Sequence, residues 1–309
     1  TRSIVLGAAQ RLGYVGEESS PQEARTNDRT LRFVFVFPPG TNSFIRLLGQ
    51  QIEGQALGRA GIVARVEELE GFNPQSLAER LLALRGEADG VGLIAQDHPL
   101  VRDAIRALHQ AGVPVVTLAS DVLSVPRLAY VGIDNRQAGR LAGQLMGRFL
   151  CGRNPAKVAL FAGSLSYRGH EEREVGFRSI LRDEFPNIHI MELREILDDS
   201  ERGFSETRSL LASNPDLAGI YNVGGGTEGI ARALKDAGTE RSVVLIGHEA
   251  TDNNKRLLLD GTLDAVIDQN PRVEAREALN LLTASARGEK YSYIAPRLQV
   301  VFRENIPDE

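Results

Sequence analysis

The sequence contains no tryptophan, a single cysteine (Cys151), two methionines and five histidines. One cysteine excludes a disulfide framework and any zinc site built on several thiolates within the chain. The histidines are scattered and form no His-x-x-x-His pair, so no metal site is expected. No stretch approaches the roughly 18 consecutive apolar residues of a membrane span, and no membrane partner is expected. A basic excess is missing as well. The formal net charge is -5 at pH 7, which excludes an overall cationic surface for nucleic acid. Any contact with DNA must be made by a separate part of the protein. What remains is an ordinary globular composition, 42% hydrophobic and 25% charged over 309 residues, enough for one large or two ordinary domains.

From Leu31 onward, short apolar runs rich in β-branched residues alternate with longer stretches of helical period. The runs are LRFVFVF (31–37), IVARVEEL (62–69), GVGLIA (90–95), VPVVTL (113–118), LAYVGI (128–133), KVALFAG (157–163), IHIMEL (188–193), AGIYNV (218–223), VVLIGH (243–248) and LDAVID (263–268). Between them the helical pattern is clearest over 43–60, 74–86, 99–112, 135–150, 170–184, 226–238 and 271–287. Continuous apolar strands flanked by helices imply parallel sheets buried on both faces. The fold class is therefore α/β and doubly wound. Ten strands are many for one open sheet, so two similar lobes with a ligand cleft at the carboxyl ends of their strands are expected.

The sharpest local motif is NVGGGTEG (222–229), in which Gly224, Gly226 and Gly229 satisfy G-x-G-x-x-G between a strand and a helix. Glu249 follows 20 residues beyond Gly229, where a nicotinamide enzyme would hold its ribose. Against that reading, the motif lies deep in the chain and no later segment offers a hydride-transfer acid or base. A tight turn that lets the backbone pass close to a ligand explains the same glycines. No G-x-S-x-G elbow is present, and Cys151 ends an amphipathic helix as a small filler would. The expectation is a binding protein without cofactor, not an enzyme.

The stretch before Leu31 has its own logic. Ile4, Val5, Ala8, Ala9 and Leu12 recur at helical spacing, Gly13 follows as a C-cap would, and Gly16 to Arg29 is polar with Ser19, Ser20, Pro21 and Asn27 as breakers. This is either a helix packed on the core or the end of a separate domain followed by a linker.

VGIDNRQAGRLAGQLM (131–146), with GVPVVTLASD (112–121), HEEREVGF (170–177) and IGHEATDNNKRLLLDGTLDAVIDQNP (246–271) in order, resembles the LacI-type transcriptional regulators and the type I periplasmic sugar-binding proteins. The resemblance runs from Thr1 to about Phe302. It implies two lobes joined by three crossovers. Residues 31–133 plus 269–288 would form the first lobe and 134–268 plus 289–309 the second. Residues 1–14 would be the remnant of a helix-turn-helix DNA-binding domain, and 15–30 a hinge or linker.

The same resemblance implies a set of effector-binding residues. Asn42 would serve as a hydroxyl partner and Phe44 as a ring-stacking face, with Ser120 and Asp121 at the end of the fourth strand. From the second lobe come His170, Arg173, Asn222 and Glu249, with the hinge Gln269. Their chemistry suits a sugar, which needs planar hydrogen-bonding groups for its hydroxyls and apolar faces for its C–H side. The chain departs from many pentose and hexose binders in carrying Ala119-Ser120 in place of an Asp-Arg pair, and Phe44-Ile45 in place of two aromatics. Stacking would fall to Phe44 and to Tyr167 or Tyr221. The expected protein is a cytoplasmic LacI-type repressor. It would sense a sugar-like effector, reach operator DNA through its helix-turn-helix and act as a homodimer. The alternative is a periplasmic sugar-binding protein of an ABC transporter, and a less favoured one an NAD-dependent oxidoreductase.

Overall fold

The structure is a computed structural model that describes residues 29–38, 42–69 and 73–307. The expected helix over 1–14 and nearly all of the linker lie outside the described residues. Within them the chain alternates strand and helix from start to end, as apolar runs between amphipathic stretches dictate. The first lobe opens with β1 (Leu31–Phe37), α1 (Ser43–Leu57), β2 (Ile62–Glu68), α2 (Pro74–Ala83), β3 (Gly90–Leu93), α3 (Pro99–Gln110), β4 (Val115–Leu118) and β5 (Ala129–Val131). The second contains α4 (Asn135–Phe149), β6 (Ala156–Ala162), α5 (Arg168–Glu184), β7 (Ile188–Glu195), α6 (Ser200–Ser213), β8 (Leu217–Asn222), α7 (Thr227–Asp236), β9 (Val244–His248), α8 (Asp252–Asp260) and β10 (Ala265–Asp268). Two last elements follow, α9 (Pro271–Arg287) and β11 (Gln299–Val301).

The strands form two sheets, β2-β1-β3-β4-β5 and β11-β10-β9-β8-β6-β7. All neighbours are parallel except β10 with β11. The central order is the same in each sheet: the second strand lies outside the first, and the third lies on its other side. The chain passes between the lobes three times, after β5, after β10 and after α9. In the first sheet β1 shows why both faces are apolar. Phe33, Phe35 and Phe37 pack with α1 and α9, whereas Val34 and Val36 pack with α2 and α3. Each of these side chains is at most 1% exposed, and burial of each contributes about 2–3 kcal/mol.

In the second lobe one face of the sheet is covered by α4 and α5 and the other by α6, α7 and α8. The contact between α4 and α5 is unusually close. A Cβ at Gly139 would sit 1.9 Å from the Arg173 carbonyl oxygen, and one at Gly176 would sit 2.1 Å from the Arg136 carbonyl oxygen. Glycines on both helices let the two backbones touch, and that contact fixes the start of α5 over the cleft.

Candidate functional site

Both sheets direct their carboxyl ends into the space between the lobes. The cleft there holds about 960 Å³ of empty space, counting the open solvent at its mouth. From the first lobe it is lined by Asn42 and Phe44 at the start of α1, and by Ala119 and Ser120 after β4. From the second come Tyr167, His170 and Arg173 around the start of α5, Asp198 after β7, Gly224–Gly226 after β8, and His248 and Glu249 at the end of β9, with Gln269 after β10.

The lobes meet across this cleft through direct hydrogen bonds. Asn42 Nδ2 donates to Asp198 Oδ2 at 3.0 Å, Gly169 N to Ser120 Oγ at 3.2 Å, and Gln96 Nε2 to Ser166 Oγ at 3.3 Å. The described conformation is therefore closed. Asn42 does two jobs, because its Oδ1 also accepts from Phe44 N at 3.0 Å and caps α1.

Arg173 is 4% exposed and anchored at two points. Its Nε donates to Asn135 Oδ1 and its Nη1 to the Val223 carbonyl, each at 2.8 Å. A buried guanidinium held this way is a rigid donor for a ligand oxygen. Glu249 stands at a left-handed φ of 69°, an uncommon backbone state that concentrates at functional sites. Its Oε1 accepts from Gln269 Nε2 at 2.5 Å, while its Oε2 and Gln269 Oε1 are buried without a partner. Burial, reinforced by Asp268, pushes the Glu249 carboxyl up to about 8. Burial also lowers the imidazoles of His170 and His248, so both rings favour the neutral form. Two unpartnered oxygens in a protein interior call for hydrogen-bond partners that a hydroxylated ligand can supply.

A family model described as the periplasmic binding protein domain matches residues 33–290. The chain belongs to that family. The ribose import binding protein RbsB of Salmonella typhimurium is 25% identical over 195 residues, which span 63% of this chain and 64% of that protein. An ABC transporter solute-binding protein from Burkholderia graminis, solved with D-arabinose, superposes with a TM-score of 0.83 at 23% identity, over 91% of this chain and 98% of its own. A protein assigned as a LacI transcriptional regulator from Bacteroides fragilis superposes with a TM-score of 0.78 at 20% identity, over 90% of this chain and 99% of its own. These structural likenesses carry the fold.

In this periplasmic-binding-protein domain the cleft brings together seven of the residues expected from sequence: Asn42, Phe44, Ser120, His170, Arg173, Glu249 and Gln269. Two expected residues are elsewhere. Asp121 turns away from the cleft and accepts from Thr117 Oγ1 at 2.7 Å, Val122 N at 2.9 Å and Arg127 Nη2 at 2.5 Å. Ala119, at a positive φ of 54°, bends the chain after β4 so that Ser120 faces the cleft and its successor does not. Asn222 is fully buried behind the lining. Its Nδ2 donates to the carbonyls of Gly224 and Gly225 and to Thr227 Oγ1, so it braces the glycine turn. Tyr221 is likewise withdrawn, stacked on Phe177 and bonded to His248 Nε2 at 2.8 Å.

Asp198 was not legible as a site residue. It lies in an unremarkable ILDDS stretch, and only the fold carries it to the cleft.

Proposed function

We propose that the chain is the effector-sensing core of a LacI-type transcriptional regulator, closing its two lobes on a sugar or a related small polar molecule. The observation that carries the ligand reading is the cleft floor. There the anchored Arg173, the unpartnered oxygens of Glu249 and Gln269, and the apolar faces of Phe44 and Tyr167 converge on one enclosed space. That mixture matches the needs of a monosaccharide: planar polar groups for hydroxyls and an apolar face for the ring. Likeness to ribose import binding proteins and to a D-arabinose-bound solute-binding protein supports the same ligand class.

The regulator half of the proposal rests on the resemblance of residues 1–30 to the end of a helix-turn-helix domain and its hinge, and on the likeness to the Bacteroides fragilis protein. In this reading the protein is a cytoplasmic homodimer. Ligand changes operator affinity only through its different affinity for open and closed lobes. A second reading, the solute-binding protein of a sugar transporter, is favoured by the ribose import relatives. A thermal-shift panel of pentoses, hexoses and sugar alcohols tests the ligand reading, and no shift with any of them would refute it. Sedimentation of the protein, with a gel-shift assay of the full-length gene product on its own upstream DNA, separates the two readings. A monomer that ignores this DNA would refute the regulator.

A further inference from the structure

We propose that Asp198 determines specificity in this cleft: its carboxylate occupies the anion seat of the Gly224–Gly226 turn and ties that turn to the opposite lobe. The closed cleft then admits uncharged hydroxylated molecules and refuses anionic ones. The proposal builds on the reading of the cleft as a sugar site.

A glycine-rich turn between a strand and a helix N-terminus is a ready anion site, because its backbone N–H groups and the helix dipole favour negative charge. The turn after β8 has that form, and Gly226, the N-cap of α7, leaves the helix without a side-chain cap. Here the seat is filled from within the chain. Asp198 Oδ1 accepts from Gly225 N at 2.6 Å, and Oδ2 accepts from Asn42 Nδ2 across the cleft at 3.0 Å.

The surroundings are built for this carboxylate. A Cβ at Gly163 would lie 2.1 Å from Asp198 Oδ1, one at Gly224 would lie 2.5 Å from it, and one at Gly225 would lie 2.9 Å from the Asp198 Cβ. Glycines from the ends of two strands thus clear its position. Asp198 itself stands on two successive left-handed residues, Leu197 at φ 51° and Asp198 at φ 56°, a strained turn held by the bond from Leu197 N to the Gly163 carbonyl at 2.9 Å.

The charge balance leads to the same conclusion. The buried ionisable groups lining the cleft are Tyr167, Arg173, Asp198, His248 and Glu249, with His170 partly buried beside them, while Arg46 and Glu228, of opposite charge, line it from exposed positions. Both imidazoles favour the neutral form, and burial keeps the proton on Glu249 at neutral pH. The Arg173 and Asp198 charges then offset each other. An anionic ligand would bring an uncompensated charge into a desolvated space and face a carboxylate already holding the turn's N–H.

The test compares the wild type, Asp198→Asn, and the exchanged pair Asn42→Asp with Asp198→Asn, which returns a carboxylate and a matching donor to the same contact. Each is probed by thermal shift with D-ribose and D-ribonate, D-glucose and D-glucuronate, and D-galactose and D-galacturonate. The ligand-free radius of gyration is read by solution X-ray scattering. The wild type is expected to bind at least one sugar and refuse its acid. Asp198→Asn places an amide against the Asn42 amide. It should enlarge the ligand-free radius and bind the acid at least tenfold more tightly than the wild type, and the exchanged pair should restore both properties. A wild type that binds acid as well as sugar would overturn the proposal. So would an Asp198→Asn protein with wild-type radius and discrimination, or an exchanged pair that restores neither. If no compound shifts the wild type, the sugar reading falls. The Asp198–Asn42 tie between the lobes then stands if the radius grows in Asp198→Asn and returns in the exchanged pair, and falls if it does not change.

Discussion

Glu249→Gln should flatten the dependence of stability on pH between pH 6 and 8. The substitution keeps the shape of the side chain and an oxygen to accept from Gln269, and it removes the titrating proton. In the folded protein the Glu249 carboxyl is raised from its ordinary 4.5 to about 8, chiefly by burial. A group raised on folding contributes stability that is fully present below pH 4.5 and is lost as pH rises through 8. With those two values, linkage gives a loss of about 2 kcal/mol between pH 6 and pH 8 for this group alone. Glu274, fully buried at the start of α9 and also raised by burial and by Glu249, adds a loss of the same sign. The assay is urea unfolding followed by far-ultraviolet circular dichroism, since the chain has no tryptophan to report fluorescence. The buried imidazoles of His170 and His248, lowered on folding, act in the opposite sense and gain stability as pH rises through 6.5. The decisive quantity is therefore the difference between the two proteins: from pH 6 to pH 8 Glu249→Gln should lose about 2 kcal/mol less than the wild type. Equal slopes in the two proteins would refute the buried-proton account.

Other substitutions separate packing from binding. Gly139→Ala drives a methyl to 1.9 Å from the Arg173 carbonyl and should cost about 3 kcal/mol, seen as a thermal midpoint lower by roughly 5–10 °C. Asp121→Ala removes three local hydrogen bonds and should lower stability by about 1–3 kcal/mol. Because this residue lies outside the cleft, ligand-induced thermal shifts should survive in the variant; their loss would return Asp121 to the site. Arg173→Ala strips the partners from Asn135 Oδ1 and the Val223 carbonyl and should abolish those shifts, as isothermal titration would register. NAD should give no thermal shift, because the N–H of Gly225 already serves the Asp198 carboxylate; a clear shift would contradict the filled seat.

The strands were legible because sheets covered on both faces need nearly continuous apolar runs. LRFVFVF sends phenylalanines to one layer and valines to the other, and it reads as a strand without any tertiary knowledge. Two helices were harder. α6 buries only Gly203, Thr207 and Leu210, so its apolar stripe is faint, and α8 spans nine residues. At the site, residues ending strands were readable as a class, because the carboxyl edge of a parallel sheet is where ligands bind. Which of them face the cleft was not. Asn222 and Asp121 occupy strand-end positions like Glu249 and Gln269, yet the first gives its amide nitrogen to the glycine turn behind the lining and the second is held by Arg127.

The amino-acid pattern by itself determined the α/β class, the repetition of one plan in two lobes, and the chemistry available at the strand ends. These follow from local periodicity and composition, which act over a few residues at a time. The tertiary structure alone decided which polar groups converge, because convergence depends on contacts far apart in the chain. The glycine-mediated approach of α4 to α5 aims Arg173, and the left-handed turn after β7 carries Asp198 156 residues from Asn42 into contact with it. Bonds at that separation leave no period in the sequence, so their energetics exist only once both lobes are folded and closed.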